Sequence, residues 1–197
     1  MDLDQSLRRR LGPLATRAAR PIRHAHPVAL TLLAGLLGIG GSLLVAVGQP
    51  VGAAAAALGV LLDAVDGPVA RLTGRESRFG AWLDSTVDRA VDFSLAVALA
   101  YRGHATGDER LLAAGLAAAL GSFLASYARA RAEGLEVYTT EGLAPRWVRL
   151  VFVALAAGAL AAGESGLAAA LLALVALAGF ATAVARGIAV FADERAA

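Results

Sequence analysis

From Pro27 to Leu62 the chain carries no charged residue at all, and long apolar runs continue almost to its end. A helix needs about 20 apolar residues to cross a bilayer. On that ruler the sequence predicts six spanning helices, at 27–48, 51–71, 81–103, 109–132, 147–163 and 166–191. Turn signals separate them: Gly48-Gln49-Pro50, Thr73-Gly74-Arg75, Gly103 to Gly107, Gly142 to Pro145 and Gly163 to Gly166. The composition agrees, with 58% hydrophobic and 17% charged residues, against about half and a quarter in soluble domains. The spans are rich in Ala, Gly and Leu, and small residues let helix backbones approach closely in lipid.

All 18 basic residues are arginine, and cysteine is absent. Thiolate metal sites, disulfides, cysteine nucleophiles and lysine Schiff bases are therefore excluded. Arg8, Arg9, Arg10, Arg17, Arg20 and Arg23 crowd the first 26 residues, just ahead of the first apolar run. That position favours an anionic lipid surface over nucleic acid, since no aromatic or groove-reading element accompanies them. Leu3, Leu7, Leu11 and Leu14 fall near one stripe, so residues 2–23 read as an amphipathic helix on the membrane surface. With six spans, both termini and the 72–80 and 133–146 loops share one side, with Arg75, Arg78, Arg146 and Arg195. The other side holds Arg102 and Arg110. The arginine-rich side is expected in the cytoplasm of a cell whose plasma membrane holds the protein. The expected fold is an all-α integral membrane protein, with a juxtamembrane segment (1–26) before a six-helix transmembrane domain (27–197).

The stretch LLDAVDGPVARLTGRESRFGAWLDSTVDRAVDF, residues 61–93, sets Asp63, Asp66, Asp84, Asp88 and Asp92 in or beside the second and third spans. Ionisable groups inside a membrane are costly and default to function. Asp63 and Asp66 share one helix face, as do Asp84 and Asp88. A short loop joins the two helices, so both pairs can face each other across a hairpin. Carboxylates so gathered repel unless cations sit among them, and hard oxygen donors suit Mg²⁺ or Mn²⁺. Two such ions about 4 Å apart suit a phosphoryl or diphosphate substrate. Gly67 and Gly80 remove side chains beside the carboxylates, and Arg71 suits phosphate oxygens. Asp92, near Arg89, is open between a structural ion pair and a place in the site. His24, His26 and His104 lack metal-site spacing.

At these residues the chain resembles the CDP-alcohol phosphatidyltransferase family. The family signature D-x2-D-G-x2-A-R-x8-G-x3-D-x3-D stands complete as Asp63, Asp66, Gly67, Ala70, Arg71, Gly80, Asp84 and Asp88. The resemblance implies transfer of a phosphatidyl group from CDP-diacylglycerol, or a similar CDP-lipid, to a polar alcohol with release of CMP. It implies that Asp63, Asp66 and Asp84 bind metal, and that Asp88 lies close to the second ion and acts as general base. Gly67, Ala70, Arg71, Gly80 and, more weakly, Ser77 would line the CDP site. A homodimer is also implied.

Three further segments are similar to the inositol-phosphate-using branch, the phosphatidylinositol-phosphate and archaetidylinositol-phosphate synthases. They are Leu83 to Arg89, Ser126 to Glu133 (against S-Y-x-K-A-R-A-E) and Arg146 to Leu150 (against R-P-E-R-L). On this likeness Arg129, Arg149 and Arg186, with Arg146 nearby, would bind the acceptor phosphate. Inositol 1-phosphate is then the expected acceptor, with glycerol 3-phosphate the alternative. Arg129 stands where that branch usually has lysine, and Trp147-Val148 where it has proline and glutamate. The family's P-N-x-x-T at the first span is here Pro27-Val28-Ala29-Leu30-Thr31, without the asparagine. Of other classes, a six-span cation- or proton-coupled transporter predicts midplane carboxylates and an internal repeat, and no convincing repeat is seen. An intramembrane prenyltransferase would carry other aspartate spacings.

Overall fold

The computed structural model describes residues 16–139, 142 and 144–195. Six long helices occupy these residues: α1 (Pro27–Ala46), α2 (Val51–Thr73), α3 (Arg78–Thr106), α4 (Glu109–Glu133), α5 (Arg146–Ala161) and α6 (Ser165–Glu194). Each falls on one of the six apolar runs, with ends shifted by a few residues. The surface helix expected at 2–23 lies mostly outside the described residues; within them, residues 16–19 are helical.

By length and composition four helices can cross a membrane: α1, α2, α4 and α6. The other two depart from the expectation of six spans for different reasons. α5 has 16 residues, short of the ~20 a bilayer needs. α3 has 29 residues and ample length, but it carries Arg78, Asp84, Asp88, Arg89, Asp92 and Arg102.

The helices form two compact units. One comprises the chain up to Leu44 together with Gln49–Val91; the other comprises Val45–Gly48 and the chain from Asp92 onward. In the first unit α1 and α2 touch backbone to backbone. A Cβ on Gly41 would sit 2.5 Å from the Ala56 nitrogen, and one on Gly59 would sit 2.7 Å from the Ala34 carbonyl oxygen. α3 joins them where Val87 and Val91 pack on Gly35 and Gly38. In the second unit α4 and α6 meet at Gly121 and Gly179 with the same intimacy. Its core is made of Leu99, Leu111, Leu172, Val153, Val175 and a set of alanines.

Many other large apolar side chains point outward. Leu36, Leu43, Leu61, Leu177 and Val184 are each more than 60% exposed, whereas the interior holds Ala, Gly, Thr31, Ser42 and Thr182. A protein in water would bury those leucines; one in lipid leaves them outside and packs small residues within.

The α2–α3 connection positions the site. Gly74 adopts φ +63° and its amide donates back to Ala70 and Arg71, while the Arg75 amide bonds the Ala70 carbonyl. This left-handed cap ends α2 at a residue that needs no Cβ. Ser77 then starts α3, its hydroxyl accepting from the Gly80 amide at 3.0 Å. The chain thus reverses within a few residues, and the two aspartate-bearing helices run alongside each other.

Candidate active site

Asp63 and Asp66 lie one turn apart on α2, and Asp84 lies on the second turn of α3. One carboxylate oxygen from each falls within 4.8 Å of the other two. Asp66 is 5% exposed, while Asp63 and Asp84 are half-buried. Three carboxylates at this separation, in a chain without cysteine, form a hard-oxygen donor set that fits a divalent cation such as Mg²⁺ or Mn²⁺. Asp88 stands one turn further along α3, outside this group of three, with its Oδ1 buried.

Thr31 supports the trio. Its hydroxyl donates to Asp66 Oδ2 at 2.6 Å, with the Pro27 carbonyl 3.2 Å away as the alternative acceptor. Thr31 is 3% exposed, so this bond runs through the packed α1–α2 face. Thr31 is a site residue that charge and spacing alone do not reveal. The signal was the family's P-N-x-x-T pattern, whose threonine is kept here although its asparagine is not.

A cavity of about 210 Å³ opens beside Asp66 and Asp84. Gly67, Ala70, Arg71, Ser77 and Gly80 all line it, which gathers the whole set expected to hold a nucleotide. Pro27, Val28, Arg75, Glu76 and Ala81 join the lining. A Cβ on Gly67 would meet only the tip of Arg71 at 3.6 Å, so this glycine leaves space on the cavity side and relieves no backbone clash. Ser77 also caps α3, its hydroxyl accepting from the Gly80 amide. The amino end of α3, with its positive dipole, also borders the cavity, which favours an anion there.

The four arginines expected to bind an acceptor phosphate all fall in the second unit, Arg146 and Arg149 on α5, Arg129 on α4 and Arg186 on α6. Arg146 and Arg149 are one turn apart on α5. Arg186 of α6 donates to the Ala125 carbonyl at 2.5 Å, one turn before Arg129 on α4. Arg129 itself is exposed and bonded to Glu133 at 2.8 Å. Arg149 is 8% exposed and donates Nη1 to the Ala144 carbonyl at 2.7 Å. Asp92 takes Arg146 as its partner; Arg89, the neighbour suggested by spacing, donates to the Ser85 carbonyl of its own helix.

Residues 24–190 match the CDP-alcohol phosphatidyltransferase family, most of the chain and the whole of the aspartate hairpin. The chain belongs to that family. With its apolar helices, membership marks it as a multi-pass membrane protein. The proteins similar to it include the archaetidylinositol phosphate synthase of Pyrococcus horikoshii, 40% identical over 51% of this chain and 51% of that protein. The synthase of the same name from Methanothermobacter thermautotrophicus is 35% identical over 75% of this chain and 71% of its own length. The match thus spans about half of the first relative and a larger share of the second. Among solved structures, the phosphatidylinositol phosphate synthase of Mycobacterium tuberculosis with CDP-DAG bound superposes with a TM-score of 0.81 at 30% identity, covering 91% of this chain and 94% of that one. The same enzyme in complex with manganese and citrate gives a TM-score of 0.79 at 30% identity, over 90% and 88% of the two chains.

Proposed function

We propose that this protein transfers a phosphatidyl group, or a similar lipid phosphate, from a CDP-linked lipid to inositol 1-phosphate and releases CMP. The observation that carries the reading is the trio Asp63, Asp66 and Asp84 beside a cavity edged by Arg71 and the amino end of α3. Manganese in the mycobacterial structure, CDP-DAG in its companion, and the names of the relatives support it.

Asp63, Asp66, Asp84 and Asp88 would hold two Mg²⁺ or Mn²⁺ ions, which offset the diphosphate charge and stabilise the departing CMP. Arg71 and the α3 amides bind phosphate oxygens of the CDP group. Gly67, Ala70 and Gly80 leave room for the nucleotide, and Ser77 fixes the helix end that meets it. Asp88 accepts the proton of the acceptor hydroxyl as that oxygen attacks the lipid-linked phosphorus and the bond to CMP breaks. Arg129, Arg149 and Arg186, with Arg146 nearby, bind the acceptor phosphate; guanidinium forks suit a dianion.

The same reading takes residues 27–197 as a single catalytic domain of six spans, with α3 and α5 crossing alongside the four more apolar helices. Both termini and the aspartate site face the cytoplasm at the plasma membrane, and two copies form a homodimer. Arginine asymmetry supports the orientation.

The acceptor is tested with purified protein, CDP-diacylglycerol and Mg²⁺, offering inositol 1-phosphate, glycerol 3-phosphate, inositol or serine and identifying the lipid product by mass. A phosphatidylinositol phosphate product is expected. A phosphatidylglycerophosphate product would transfer the reading to glycerol 3-phosphate, and no product with any acceptor from folded protein would overturn it.

A further inference from the structure

α5 begins in an electrostatically awkward way. Arg146 is its first residue and Arg149 follows one turn later, while its first turn holds no acidic residue and Pro145 gives no side-chain cap. Two cations at the positive end of a helix dipole oppose helix formation. Asp92 of α3 supplies the compensating charge. Its two oxygens accept from Arg146 Nε at 3.1 and 3.3 Å, and Oδ1 also accepts from Nη2 at 3.1 Å. The Asp92 side chain is 13% exposed and that of Arg146 31%, so neither charge is a free surface group.

Arg149 is more buried still, and its Nε has no hydrogen-bond partner among the described residues. A buried charged donor without an acceptor is costly, and its persistence needs a reason. The charges acting on it are Asp92, which attracts it, and Arg146, which repels it. Asp92 therefore neutralises the neighbour that opposes Arg149 and also fixes the first turn of α5, from which Arg149 projects.

We infer that Asp92 is a positioning residue for acceptor binding: through its paired contact with Arg146 it holds the first turn of α5, and with it Arg149, in place, with Nε kept for the acceptor phosphate. This rests on the proposed reading of the arginines as the acceptor-phosphate site. It moves Arg146 from direct ligand to strut.

The test is steady-state CMP release by the full chain in detergent, varying inositol 1-phosphate and CDP-diacylglycerol separately. Asp92→Asn should raise the KM for inositol 1-phosphate on the order of ten- to a hundredfold. The KM for the CDP-lipid and kcat should move far less, and Asp92→Glu should recover much of the loss. Arg146→Lys keeps the charge and loses the fork, and should show the same split in smaller degree; it decides the matter if Asp92→Asn does not fold. An unaltered acceptor KM in these variants, or equal rises for both substrates, overturns the inference. Arg149→Gln separates the two levels. If it raises the acceptor KM while Asp92→Asn does not, the strut alone fails; if it does not, the acceptor-site reading fails with it.

Discussion

Asp66 sits almost wholly out of solvent inside an apolar helix, with Thr31 as its hydrogen-bond donor and two further carboxylates at hand. A donor that orients a metal-ligating carboxylate usually matters nearly as much as the ligand. Thr31→Val, which keeps shape and loses the hydroxyl, should therefore weaken activation by Mg²⁺ or Mn²⁺ about ten- to a hundredfold, read as the metal concentration for half-maximal CMP release. Thr31→Ser should behave like the parent. Equal metal dependence in all three would show that the bond is only structural. Asp88 differs in kind, since it is assigned the proton and not only charge. Asp88→Asn should lower turnover by about a hundredfold or more while the CDP-lipid still binds. Turnover retained in that variant would remove Asp88 as the base. At this scale the aspartates were legible because charges stand out against apolar sequence and their spacing is helical. Thr31 was not, because a threonine in a span reads as packing. Nor was the Asp92–Arg146 pair, since the partners stand 54 residues apart and Arg89 offers a closer arginine along the chain.

At the scale of elements, ends matter as much as faces. α2 stops at Gly74 and α3 starts at Ser77 because a left-handed glycine and a capping hydroxyl make a tight reversal, and the tightness brings Asp84 to Asp63 and Asp66. The sequence showed this turn as Thr73-Gly74-Arg75. The α3–α4 connection uses the same devices, with Gly107 at φ +72° and Asp108 as cap of α4. The Leu111 amide, with help from Ser165 and the Arg110 amide, holds the Asp108 carboxyl below its ordinary value of 3.8. A depressed carboxylate stabilises the fold above its unfolded value, and that contribution is lost as pH falls through the folded one. Asp108→Ala should accordingly lower Tm near neutral pH, with the gap from the parent closing below about pH 4. A gap that stayed constant into acid would argue against the cap. What hydropathy blurred was α3 and α5. The first mixes apolar residues with the charges of the site, and the second is short, so runs read as spans became helices that length and composition alone do not qualify.

For the molecule as a whole, the exposed leucines and the small-residue interior mark a protein turned outward to lipid, and six helices stand where six apolar runs were read. The absence of native cysteine makes topology directly testable with single introduced thiols. Arg75→Cys and Arg195→Cys should be labelled from the cytoplasmic side only, and Thr106→Cys and Glu164→Cys from the opposite side only. Thr106 reacting on the same side as Arg75 would remove α3 as a crossing; the same result for Glu164 would count against α5. One chemical event, the release of CMP, decides the proposed function, and it can be watched directly. Purified protein given CDP-diacylglycerol and inositol 1-phosphate should release CMP with Mg²⁺ or Mn²⁺ present, stop when the ion is chelated, and resume when it is restored. Folded protein that releases no CMP under these conditions, or that releases it equally with the ion chelated, would contradict the account.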